Sequence, residues 1–407
     1  MLSNGRCVMW AAMACAALFV SIVSAHSAIP SSSSYVSSEL DSTFVPITDP
    51  SWFWSPYNWN AVSTAPGQTQ SNNPGAYFKL SFSGSSFTLG LNTSGTPDCG
   101  YMTLRWSVDG AEWQDALLPW SMSSSTSLRL AWNQAPTPTG APHSLVLFIL
   151  NSHQLTDRWE TPVNVVRITG ATIDAGASLS PYPFLFSRKL MVFWDSIGEG
   201  VLINGRGNPQ SDLTDNDATR NWVQVLAQAL QAEVGSISYG AQGWLHDGSF
   251  HAVMNIYNDT EASFAWSRFD AHTSRLDAQG LVQPPPDWVV MGHGTNDHAS
   301  DPEQVSACAE AWLGAITAAA PDAHVFLTLP FGLFQSTALS NAYASFQKSA
   351  SNPLVHLLDL SPWNAQEGLA GGGGNRNSPD GVHPLAFRAE QLGGILAAGV
   401  TQQLKAE

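Results

Sequence analysis

The chain has 407 residues, long enough for two domains, each with its own core. Only 12% of the residues are charged, and acids outnumber bases 32 to 16, for a net charge of −16. A surface of that sign repels nucleic acid and anionic membranes, which excludes both as partners and favours neutral ones.

The N-terminus reads as a secretion signal. Arg6 gives the positive start, residues 7–22 (CVMWAAMACAALFVSI) are apolar, and Val23-Ser24-Ala25 offers small residues for cleavage, so residues 1–25 are expected to be removed. The apolar run is short for a membrane span, and no later segment is long and apolar enough to provide one. The expected location is therefore extracellular. In that oxidising setting Cys99 and Cys308 remain after cleavage, either as a disulfide or as two buried thiols. Asn92 and Asn258 stand in acceptor triplets for glycosylation in a eukaryotic host.

Residues 26–44 are serine-rich and read as a flexible leader. From 45 to 185 the apolar pattern has period two. Phe78, Leu80 and Phe82 alternate with polar neighbours, and so do Phe87, Leu89 and Leu91. Met102, Leu104, Trp106 and Val108 continue the pattern, and further strands are predicted at 145–150 and 163–168. Short strands between Gly, Pro, Asn and Ser clusters predict an all-β jelly-roll or sandwich domain. Trp52, Trp54 and Trp59 lie in a Ser/Pro/Asn context, where indoles either stack on sugar rings or fill a sandwich core. The domain is thus a candidate carbohydrate binder.

From 186 to 407 apolar runs alternate with helical spacing. Strands are predicted at 189–194, 234–238, 288–291, 325–329 and 354–358. Helices are predicted at 217–232, 302–320 and 384–404, the last with Pro384 in its first turn. Continuous apolar strands alternating with helices predict an α/β domain, a parallel sheet covered on both faces.

In such sheets functional groups collect at the carboxyl ends of the strands. Those ends carry Asp195-Ser196, then Tyr239-Gly240-Ala241-Gln242-Gly243, then 292-GHGTNDHA-299, and 378-SPDGVHP-384 precedes the last helix. Acyl transfer needs a nucleophile, a base, a group to orient the base, and donors for the oxyanion. Ser196, His383 and Asp380 supply the first three, with Asp380 about one helical turn before His383. The N–H groups of Ser196 and Gly243 and the side-chain amide of Asn296 are the expected oxyanion donors. Trp244 and Trp363 are candidates to line the substrate cleft. His246, His293 and His298 show no zinc-ligand spacing, and Asp215-Asn216-Asp217 lacks the Gly and Glu of a calcium loop. No metal or other cofactor is expected.

Four separated blocks, DS at 195–196, GAQG ending at Gly243, GTND containing Asn296 and DGVH at 380–383, resemble the SGNH (GDSL-type) hydrolases in content and order. No G-x-S-x-G occurs, which argues against the ordinary α/β-hydrolase elbow. A β-sandwich directly ahead of such a domain is similar to the second carbohydrate-esterase family. The resemblance implies a flavodoxin-like sheet and a cofactor-free serine esterase that removes small acyl groups, acetyl foremost, from polysaccharide. A lipid or aryl esterase of the same fold, or a wall-polysaccharide-binding protein with a dead hydrolase site, are the other readings. Two positions depart from the family pattern. Trp194 stands where the family has Gly, and Gly198 where it often has Thr. Trp194 is expected to narrow the acyl pocket beside the nucleophile.

Overall fold

In a computed structural model the described residues are 42–61, 67–94, 102–118, 126–132, 141–153, 156–161, 164–205, 213–249, 264–360 and 377–405. The signal segment, most of the serine-rich leader, Cys99, Asn258 and Trp363 lie outside them.

The first half is built of antiparallel strands. They are β1 (Ser42–Pro46), β2 (Phe53–Trp54), β3 (Asn60–Ala61), β4 (Thr69–Ser71), β5 (Tyr77–Phe82), β6 (Phe87–Leu91), β7 (Met102–Val108), β8 (Gln114–Leu117), β9 (Thr126–Arg129), β10 (His143–Ser152), β11 (Val166–Asp174) and β12 (Leu179–Ser180). One sheet has the order β3-β4-β11-β6-β9, with β1 on β11; the other has the order β12-β5-β10-β7-β8, with β2 on β5. Strict alternation explains the pairing. Phe87, Leu89 and Leu91 of one sheet and Phe78, Leu80, Leu104 and Leu147 of the other fall in a single buried cluster. The leader is shorter than the composition suggested, because Ser42, Thr43 and Phe44 pair with Asp174, Ile173 and Thr172. The strand expected from 163 starts three residues later, after Asn164 turns its side chain onto Thr156 and His153.

The second half contains β13 (Arg188–Trp194), α1 (Ser196–Glu199), α2 (Trp222–Leu230), β14 (Ala232–Ser238), the small hairpin β15 (Arg268–Asp270) and β16 (Thr273–Ser274), β17 (Trp288–Met291), α3 (Pro302–Ala319), β18 (His324–Thr328), α4 (Ser336–Ala350), β19 (Val355–Leu358) and α5 (Ala386–Lys405). Five strands form a parallel sheet in the order β14-β13-β17-β18-β19. The order reverses at β13, so the crevice at its carboxyl end is a topological switch point. Side chains of β13 alternate between two cores. Met191 and Phe193 pack with Trp312 and Leu313 of α3 and Phe346 of α4. Leu190, Val192 and Trp194 pack with Trp222 and Leu226 of α2 and Leu392 and Leu396 of α5. Each such fully buried side chain stabilises the fold by about 1.5–3 kcal/mol.

Two elements differ from expectation. The helix predicted over 217–232 is broken at Asn221, which is extended and donates through its amide to the Gly198 carbonyl. A short turn at Ala218–Arg220 precedes the break, and Ala232 already belongs to β14. Helix α4 was not anticipated. Its sequence, STALSNAYASFQKSA, has low apolar content, and its buried face is little more than Ala338, Leu339, Ala342 and Phe346.

Polar side chains tie the halves together. Arg105 of β7 bridges to Asp217, Asn58 donates to the Ser236 carbonyl, and Lys79 pairs with the buried Glu233. Arg158 and Glu199 form an ion pair with both side chains shielded from solvent.

Candidate active site

Asp195 follows β13 and caps α1, accepting from the N–H of Ile197 at 2.9 Å, while its carbonyl accepts from Gly198. The cap fixes Ser196 at the first position of the turn, half-buried at the strand end. The N–H of Ser196 has no acceptor within the helix, as at any helix start. Gly198 is required by crowding: a Cβ there would lie 2.4 Å from Ser238 Oγ and 2.5 Å from Trp194 Cβ. This accounts for the glycine at position 198.

The loop before α5 delivers the imidazole. His383 Nε2 lies 2.8 Å from Ser196 Oγ, and Nδ1 lies 2.7 Å from Asp380 Oδ2. Asp380 reaches His383 through a tight turn, not the helical spacing expected. Its Oδ1 accepts from the N–H groups of Val382 and His383, both at 2.9 Å, and from Ser378 Oγ at 3.1 Å. The first helical residue, Ala386, comes three positions after the imidazole. Partial burial pushes the Asp380 carboxyl up, but the hydrogen bond and charge of His383 and the two backbone N–H groups outweigh it and hold it well below the usual carboxylate range. Asp195 behaves oppositely. Complete burial raises it to about 7, against the Ile197 N–H, His383 and Thr295, which favour its charged form.

Asn296 projects from the loop after β17. Its Nδ2 donates to the Gln242 carbonyl at 2.9 Å and lies 3.4 Å from Asp195 Oδ2. The contact to Asp195 is the longer and weaker of the two. Gly243 requires a correction: its N–H donates to the His246 carbonyl at 2.8 Å and is not free for an oxyanion. Its glycine character has another cause. A Cβ at 243 would fall 2.4–2.7 Å from the carboxyl atoms of Asp297. That carboxylate accepts from the N–H groups of Trp244 (2.7 Å) and Leu245 (2.8 Å), pinning the glycine-containing loop to the loop that carries Asn296. The acid at the end of GTND is the signal sequence reading underused.

The expected aromatic lining is also corrected. Trp194 is 0% exposed, wedged against Trp222 and Phe331 with ring centroids 4.5 and 5.0 Å away. It occupies the space over Gly292, where a Cβ would lie 1.9 Å from the indole. It is core and cannot narrow an acyl pocket. Trp244 is 1% exposed, with its N–H on the His293 carbonyl and its ring against Trp312. His293 is fully buried, and burial lowers its pKa to about 3. Asp217 caps the turn at Ala218 by accepting from Thr219. Among the described residues no group of three or more His, Cys, Asp or Glu side chains could hold a metal ion.

No protein-family model matches the chain, and no curated protein matches it. Solved structures do match. The fold is similar to that of a family two carbohydrate esterase from Cellvibrio japonicus, at 15% identity over 90% of this chain and 98% of that one, with a TM-score of 0.69. It is similar to an acetyl xylan esterase from Butyrivibrio proteoclasticus, at 15% identity over 90% and 100%, with a TM-score of 0.67. It is similar, too, to a family two carbohydrate esterase from Clostridium thermocellum in complex with cellohexaose, at 17% identity over 87% and 99%, with a TM-score of 0.64. The chain has the fold of SGNH hydrolases that resemble the second carbohydrate-esterase family.

Proposed function

We propose that this protein is a secreted serine esterase that hydrolyses small acyl esters, acetyl foremost, on neutral carbohydrate. One observation carries the reading. Ser196 Oγ, the His383 ring and the Asp380 carboxylate form a continuous line of contacts at 2.8 and 2.7 Å, at the switch point of a parallel sheet. The similar structures named as carbohydrate esterases support the substrate class. Residues 45–185 are read as a β-sandwich and 186–407 as a flavodoxin-like hydrolase domain.

In this mechanism Ser196 Oγ attacks the ester carbonyl while His383 Nε2 takes its proton. Asp380 holds Nδ1–H, selects the productive tautomer and stabilises the imidazolium. The N–H of Ser196 and Nδ2 of Asn296 donate to the developing oxyanion. The protonated imidazole then gives its proton to the departing sugar oxygen. Water, deprotonated by His383, attacks the acyl-enzyme, and the imidazolium returns that proton to Ser196 Oγ as the bond to the acyl carbon breaks and the carboxylic acid leaves.

The alternative of a dead, binding-only protein drew on Trp194, which lies in the core. The test is acetate release from a panel of acetylated polysaccharides by the purified protein, with Ser196→Ala as control. Release that depends on Ser196 supports the proposal. A series of nitrophenyl esters on which activity rises with chain length points instead to a lipid esterase.

A further inference from the structure

A pocket of about 440 Å³ lies at the amino ends of the parallel strands, away from Ser196. Lys189, on its wall, and Ser196 stand at opposite ends of β13, on the order of 20 Å apart at the rise of a strand. Half-buried Trp54 and Trp59 form one side, and Phe186 and Phe269 contribute from the linker and the second half.

The pocket is built by specific packing. Tyr57 holds a left-handed backbone at φ 67°, a conformation a large side chain adopts only under constraint. The constraint is Gly235 on β14, where a Cβ would sit 1.9 Å from the Pro56 carbonyl, so only glycine admits this segment. Asn58 fastens the segment to the Ser236 carbonyl at 2.7 Å, and Trp59 Nε1 donates to the Tyr77 carbonyl at 2.9 Å. Trp54 is backed by Trp52, stacked at 5.0 Å with 6° between planes. Glu233 closes the floor, and its charge is already met by Lys79, the Tyr77 hydroxyl and the Phe186 N–H. Lys189 and the exposed Gln283 bring polar groups to the lining; Gln283 Nε2 donates to Asp277 Oδ2 at 2.8 Å, so its carbonyl oxygen is the group it offers.

From this arrangement we infer a second binding site, which takes a pyranose unit of a neutral polysaccharide between its indoles and its polar mouth. Apolar walls with a few polar groups, in a volume of roughly 300–1,000 Å³, are the usual make-up of a small-ligand site. Rigid aromatic faces suit the C–H faces of a sugar ring, and the Lys189 ammonium and the Gln283 carbonyl oxygen suit its hydroxyls. A net charge of −16 disfavours an anionic occupant. The choice of sugar rests on the esterase reading; the existence of the site does not. Its role is to hold the polymer at a point remote from the bond being cleaved.

The test is calorimetric titration of the full chain carrying Ser196→Ala with cellohexaose and with xylohexaose. At least one is expected to bind, and adding Trp54→Ala is expected to weaken that binding about tenfold, the worth of one stacked aromatic face. Gln283→Ala, at the exposed mouth, gives a second variant if Trp54→Ala misfolds, as judged by near-UV dichroism, and it too is expected to weaken binding severalfold. Affinity unchanged in the folded variants, or no binding of either oligosaccharide at millimolar concentration, overturns the inference. A protein that hydrolyses no ester but binds an oligosaccharide through Trp54 removes the esterase reading and leaves this site standing.

Discussion

The carboxylate of Asp297 occupies the place where residue 243 would carry its Cβ, 2.4 Å from the nearer oxygen. Glycine at 243 and aspartate at 297 therefore belong to one device, which locks two loops at the carboxyl edge of the sheet. Gly243→Ala is expected to push the carboxylate away, displace Asn296, and lower both kcat and the unfolding midpoint. Asp297→Asn retains an acceptor for one of the two N–H groups and is expected to be milder. Steady-state kinetics with nitrophenyl acetate, alongside thermal melts, measures both. A Gly243→Ala enzyme with normal kcat would contradict this account of the loop lock.

In the proposed mechanism Asn296 is the side-chain oxyanion donor. Asn296→Ala is expected to lower kcat by about 10²–10³ with little change in KM. Asn296→Asp, which replaces a donor by a charge, is expected to be worse. A change confined to KM would assign Asn296 to ground-state binding.

Asp195 is fully buried, and its pKa is raised to about 7. The folded state therefore holds its proton more tightly than the unfolded chain, where the ordinary value is 3.8. Its protonated form adds no penalty below about pH 4. Stability then falls as pH rises from about 4 to about 7, and the loss is constant above that, up to about 4 kcal/mol. Asp195→Asn keeps an acceptor for the Ile197 N–H but carries no charge. It is expected to unfold at a higher denaturant concentration than the parent at pH 8 and at nearly the same one at pH 4. Urea titrations at the two pH values measure the difference, and equal effects at both would contradict the assignment.

Arg158 and Glu199 form a shielded ion pair that joins the first half to the turn carrying Ser196. Removing one partner strands a buried charge, so Arg158→Met or Glu199→Gln is expected to cost about 3–5 kcal/mol. The double change Arg158→Met with Glu199→Leu is expected to recover most of that loss. A double mutant as unstable as the sum of the singles would show that the pair's charges are not what couples the two sites.

Trp194 belongs to the core. Trp194→Ala is expected to lose about 3–5 kcal/mol of stability and to leave the preference among acetate, butyrate and hexanoate esters unchanged. A shift of that preference toward longer chains would restore Trp194 to the acyl pocket.

The four blocks were legible because three are polar or glycine-rich stretches that follow apolar strands at their carboxyl ends, and the fourth directly precedes the last helix. Ser196, Asn296 and the pair Asp380 and His383 are separated by roughly a hundred residues each, yet parallel strands bring such ends to one edge of the sheet. What sequence could not give is which hydrogen bond each group makes. Gly243 carries the glycine of its block, but its N–H is spent on His246, a contact fixed by loop shape. Trp194 stands two residues before the serine in sequence, yet strand alternation sends its indole into the helix-facing core with Leu190 and Val192. Helix α4 escaped because its packing uses alanines against the sheet, which leaves little apolar periodicity to read. The first half was readable as alternating strands, whereas the reach of β1 back to Ser42 depends on pairing with the distant β11, Pro46 matching Gly170 at the strand's inner end and Ser42 matching Asp174 at its outer end.

The central claim is that His383 and Asp380 make Ser196 a nucleophile. Intact-protein mass spectrometry after treatment with a fluorophosphonate tests it most directly. The account predicts a single adduct, mapped by peptide digestion to Ser196, absent in Ser196→Ala and slowed by orders of magnitude in His383→Ala. A folded protein that takes up no adduct, or takes it up equally well after His383→Ala, would contradict it.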